Sequence, residues 1–83
     1  GQKEKLIERL KSKPRDFTFE EAETLLAFFG YARSDKGRTS GSRVMFVSAD
    51  RAPILLHKPH PRKELLAYQV KQLLEQLHQE GLL

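Results

Sequence analysis

Residues 17–31 spell out one helix from start to stop, and the rest of the chain has to fit around it. Thr18 followed three positions later by Glu21 is a capping box: the hydroxyl accepts from a first-turn amide and the carboxylate reaches back to the amide of the cap. Phe17 and Ala22 bracket that cap as a weak hydrophobic staple. Ala22, Leu25, Leu26, Phe28 and Phe29 then form a broad apolar face, and Gly30 supplies the residue that closes a helix in the left-handed region. A face this apolar has to be buried against another layer.

The following segments supply that layer. Residues 31–34 read as a short first strand, residues 35–41 as a polar loop, residues 44–47 as a β-rich run and residues 54–57 as a third strand. Residues 49–53 make the turn of an antiparallel hairpin. Pro59 and Pro61 stop the third strand, because neither can donate to a ladder. Leu6, Ile7 and Leu10 predict a helix over 3–12 that Pro14 ends. A last helix is expected from Tyr68, with a start as early as Arg62. Its stripe is Leu66, Val70, Leu73, Leu74 and Leu77, Gly81 is its cap, and Leu82 and Leu83 fold back. The order is α-α-β-β-β-α, an α+β fold in which helices cover one face of a three-stranded antiparallel sheet.

Eighty-three residues, 39% of them hydrophobic, predict one domain with a modest core. No run is long enough to cross a membrane, the polar start Gly1-Gln2-Lys3-Glu4 gives no signal peptide, and a cytoplasmic setting is expected. Without cysteine there is no disulfide and no thiolate metal site. The net charge of +4 is unevenly placed. Residues 33–63 carry eight lysines and arginines against Asp35 and Asp50, a net of six, and residues 17–32 carry three glutamates and no base. Either a solvated basic face or a polyanion site follows, with nucleic acid first among polyanions.

The chemistry concentrates in two places. Gly41-Ser42-Arg43 is a small-residue turn leading into the second strand, either an ordinary glycine-containing lead-in or a turn that presents amides and a guanidinium fork to a phosphate. His57-Lys58-Pro59-His60 ends the third strand and carries two imidazoles, the side-chain type best suited to acid–base work in water. His57 is open to a core or capping role as well as an acid–base one, and His60 to a cap before the last helix. His78 fits the negative end of its helix dipole. The spacing of His57 and His60, with a proline between them and no neighbouring carboxylate, does not suit a metal, and no cofactor is expected. Tyr31 and Phe46 read as core rather than as base-stacking platforms.

From Phe17 to Leu83 the order of these motifs resembles the HicA family of toxin–antitoxin mRNA interferases. The match lies in Leu25-Leu26 through Gly30-Tyr31, in Gly41-Ser42-Arg43 at the place of that family's Gly-Ser-His, in Ile54 through His60 with its Pro-x-His ending, and in Lys63-Glu64-Leu65 before the closing helix. The resemblance covers about four fifths of the chain and leaves residues 1–16 as an N-terminal helical extension of a single domain over 1–83. It implies a fold like a double-stranded-RNA-binding domain, binding and cleavage of mRNA without metal, and silencing by a HicB-type antitoxin. It places Arg43, His57 and His60 as catalytic candidates. Lys36, Arg38, Ser42, Arg43, Lys58, Arg62 and Lys63 are the RNA-binding ones. The family's catalytic histidine is Arg43 here. An arginine is never a base near neutral pH, so any base must come from His57 or His60. An RNA-binding or protein-interaction domain of the same fold that does not cut is the alternative.

Overall fold

A computed structural model describes residues 1–34 and 43–83. The chain runs α1 (Gln2–Lys11), α2 (Phe19–Phe28), β1 (Ala32–Ser34), β2 (Arg43–Val47), β3 (Ile54–His57) and α3 (Ala67–Gln79). The three strands form one antiparallel sheet in the order β1-β2-β3, which is the α+β arrangement expected from the sequence. Leu6 and Leu10 of α1, Leu25 and Leu26 of α2, and Val70, Leu73 and Leu77 of α3 share one core with Phe46, Ile54 and Leu56 of the sheet. The helices therefore cover a single face.

The capping box at α2 forms as expected. The Glu21 amide donates to Thr18 Oγ1 at 3.0 Å and the Thr18 amide donates to Glu21 Oε1 at 3.0 Å. Arg9 of α1 adds a two-pronged contact to the same carboxylate, at 2.9 and 3.1 Å. Partial burial pushes the Glu21 carboxyl up, but the bonds from Thr18 and Arg9 outweigh it and hold the group below the usual carboxylate range. Both glycine caps are complete. After α2, the Gly30 amide bonds Ala27 O and the Tyr31 amide bonds Leu26 O; after α3, the Gly81 amide bonds His78 O and the Leu82 amide bonds Leu77 O. Leu82 and Leu83 fold back against the core.

The last helix begins at Ala67, within a residue of the expected Tyr68, and the earlier start at Arg62 does not form: residues 62–66 run without helical turns, with Glu64 in a β-bridge to Thr18. The Phe19 amide donates to Lys63 O at 3.1 Å and the Leu65 amide to Phe17 O at 2.8 Å, so these residues spend their backbone bonds on the approach to α2. Leu66 is also not in the buried stripe. It is 38% exposed, and Leu65 and Gln69 are buried instead. The helix starts at Ala67, which leaves Leu66 as its extended N-cap, outside the inward row.

Candidate nucleic-acid interface

Strand register decides where the candidate side chains go. Phe46 faces Ile54 and Val44 faces Leu56 on the helix side. Alternation therefore puts Arg43, Met45, Leu55 and His57 on the open face, with Arg43 directly opposite His57 at the end of the hairpin. Residues opposite each other on antiparallel strands have Cβ atoms about 4.5–5.5 Å apart. Both Arg43 and His57 are exposed. A guanidinium and an imidazole thus stand side by side on a solvent-facing sheet surface.

The next residue turns the other way. Lys58 places its Nζ 5.7 Å from the ring centroid of Phe19, the first residue of α2. Arg33 of β1 places its guanidinium carbon at the same distance from that ring and ion-pairs with Glu23 at 3.1 Å. Beyond Lys58 the chain turns through Pro59 and His60, with a cis bond to Pro61. Together with Phe19 and Glu20, residues 58–63 line a groove of about 240 Å³. His60, Lys58, Arg62 and Lys63 are all exposed there, and Glu20 is the acidic residue among the described lining.

The expected site residues consequently separate into two adjoining sets. His57 stands with Arg43 on the open face, and His60 stands with Lys58, Arg62 and Lys63 in the groove. Lys36, Arg38 and Ser42 lie outside the described residues. Tyr31 and Phe46 are core, 3% and 1% exposed. Of the other cations in this part of the sequence, Arg33 is used by Glu23. Arg51 donates to Glu80 O at 2.6 Å, tying the hairpin turn to the end of α3. Arg62 is held more loosely, 3.9 Å from Glu64 and with its Nε on Glu64 O at 3.1 Å.

One residue that positions the site escapes the apolar pattern. Gln69 is 4% exposed, accepts from the Leu66 amide at 2.8 Å and donates to His57 O at 2.8 Å. It fastens the end of β3 to the start of α3, so the turn between them leaves the sheet from a fixed point. Its only signal in the sequence is spacing: Gln69, Leu73 and Leu77 follow one another at four-residue intervals, a polar residue in an inward row.

The fold and this end of it define a small α+β domain with a cationic, histidine-bearing surface where the sheet meets the loops flanking α2 and α3. Residues 19–79, well over half the chain, match the family model of the HicA toxin of bacterial toxin–antitoxin systems, and the chain belongs to that family. The family sets it in the toxin role and implies an antitoxin as its partner. No curated protein and no solved structure matches the chain significantly. Among the described residues no helix is long and apolar enough to cross a membrane.

Proposed function

We propose that the chain is an RNA-binding toxin that cuts mRNA in the cytoplasm and is silenced by a HicB-type antitoxin. The observation that carries this is the pairing of Arg43 with His57 on the open face, beside a groove bearing Lys58, Arg62 and Lys63. The groove cations take the phosphates that flank the cut, which is the sequence-independent part of RNA affinity. Lys36, Arg38 and Ser42 are further phosphate-binding candidates that the family resemblance supplies.

Cleavage needs no metal in this arrangement. An imidazole takes the 2′-hydroxyl proton, the freed oxygen bonds to the adjacent phosphorus, and the bond from phosphorus to the 5′ oxygen breaks. A protonated imidazole then gives the leaving oxygen its proton, and a 2′,3′-cyclic phosphate remains. His57 is the nearer base for a phosphate held by Arg43, and His60 is the acid from the groove side. Arg43 binds the phosphate with its fork and offsets the charge that builds on it.

The resemblance also favours a second reading, because Arg43 stands where the family's motif has a histidine. In that case the same surface binds RNA and leaves it intact. Incubating the purified chain with a labelled mRNA, beside Arg43→Ala, His57→Ala and His60→Ala, separates the two. Positioned acid–base groups contribute about 10²–10⁴ in rate. Losses of that order in His57→Ala and His60→Ala, with RNA still retained, support the nuclease. Retention by every protein without any cut product supports the non-cutting binder. Equal cutting by all four proteins overturns these residue roles.

A further inference from the structure

A second groove, of about 540 Å³, lies on the other side of Arg62. Its floor is apolar, made by Pro14, Leu65, Leu66 and Val70. Leu66 is 38% exposed, a large apolar side chain at the start of α3 with no core to fill. The rim is cationic: Lys13 and Arg15 on one wall, Arg62 and Lys71 on the other, with no carboxylate in the lining among the described residues. Among the described residues Lys13, Arg15 and Lys71 take part in no ion pair. One wall, residues 13–15, comes from the segment that precedes the family match, and the other comes from within it.

We infer that this groove docks an acidic segment of a partner polypeptide, with apolar side chains seated on the Leu65–Leu66–Val70 floor and carboxylates reaching Lys13, Arg15, Arg62 and Lys71. Charge complementarity selects the occupant. Lys13, Arg15 and Lys71, joined by an Arg62 held only loosely by Glu64, surround an apolar floor and are satisfied by a chain that alternates apolar anchors with Asp or Glu. RNA fits the groove poorly. A ribose–phosphate backbone gains nothing from an apolar floor, and among the described residues no aromatic ring lines it for a base to stack on. The volume lies within the range of about 300–1,000 Å³ typical of ligand pockets, room for anchoring side chains rather than for one water or ion. The inference does not depend on whether the chain cuts RNA. Arg62 borders both grooves, so a protein seated here approaches the RNA groove without filling it.

Isotope-labelled full-length chain, titrated with a short peptide in which leucines recur at helical spacing among glutamates, tests the inference by amide shifts in NMR. A peptide with lysine for each glutamate and a short oligouridylate serve as the other probes. The glutamate peptide is expected to move amides of Lys13, Arg15 and residues 65–71, and the lysine peptide to move none. An Arg15→Glu and Lys71→Glu double variant, altered only at exposed positions, is expected to weaken the glutamate peptide by about tenfold or more. Leu66→Asp weakens it to a similar degree. The inference is overturned if the peptide moves only residues 43–60, if the double variant binds it as the parent does, or if oligouridylate moves residues 13–15 and 65–71 and the peptide does not.

Discussion

Gln69 donates its side-chain amide to the backbone carbonyl of His57 at 2.8 Å, joining the first turn of α3 to the last residue of β3. The same side chain accepts from the Leu66 amide, also at 2.8 Å. A single buried polar residue thus sets where the His57–Lys63 turn departs from the sheet and where α3 begins.

Replacing Gln69 with leucine keeps most of the volume and strands both backbone partners. A buried polar group left without its bond costs about 1–3 kcal/mol. In a domain of this size each kcal/mol lowers the melting temperature by roughly 4–8 °C. Gln69→Leu is therefore expected to melt well below the parent in a thermal scan. RNA retention should fall with it at temperatures where the variant is still folded, because the turn bearing His60 loses its anchor. A melting temperature equal to the parent's would show that the bond contributes nothing net.

Glu21 gives a pH dependence with a definite sign. Its carboxyl is held below the usual range in the folded chain, so its contribution is complete above the unfolded value and is lost as pH falls through the lower folded one. Glu21→Gln should lower stability at neutral pH by about 1 kcal/mol or less, the pair with Arg9 being partly exposed. The gap between variant and parent should close as acid is added. Urea unfolding at neutral and at acid pH measures it, and a gap that widens in acid would contradict the assignment.

The fold was legible because its signals are local. Thr18 with Glu21, Gly30 and Gly81 each specify a helix end through bonds within a few residues, and the turn at 49–53 specifies its hairpin. The start of α3 was legible to within a residue, at Tyr68, but the path of the segment before it was not, because Lys63 and Leu65 bond to Phe19 and Phe17, over forty residues away in sequence. An apolar spacing that runs through Leu66 cannot reveal that competition. The candidate residues themselves were readable by type, but not the side each takes. His57 and Lys58 are neighbours in the sequence and part company because successive residues of an extended chain face opposite ways.

Gly30 isolates the cost of backbone conformation. Its φ is +89°, and a Cβ built there meets nothing within 4 Å. Gly30→Ala therefore introduces no clash and loses only what the left-handed region costs a side chain, about 1–2 kcal/mol. Gly81, at φ +74° and equally open, should lose a similar amount. Because α2 and the residues 62–65 paired with it support the groove proposed to hold RNA, Gly30→Ala also asks whether that groove survives milder destabilisation. Affinity for RNA should stay near the parent's below the melting transition, measured by filter retention.

The groove cations make a salt-dependent prediction. If Lys58, Arg62 and Lys63 each neutralise a phosphate, each releases a counterion on binding, and the logarithm of affinity falls linearly with the logarithm of salt. On single-stranded RNA each neutralised phosphate accounts for about 0.7 of that slope. Lys63→Ala should therefore bind more weakly at low salt and with a shallower slope, and the Lys58→Ala and Lys63→Ala double variant should flatten it roughly twice as much. Lys71→Ala, whose side chain lines the other groove, should leave the slope unchanged. Titrations of oligouridylate across a salt series distinguish these cases. A slope reduced equally by Lys63→Ala and Lys71→Ala would mean that RNA senses only the overall charge of the domain.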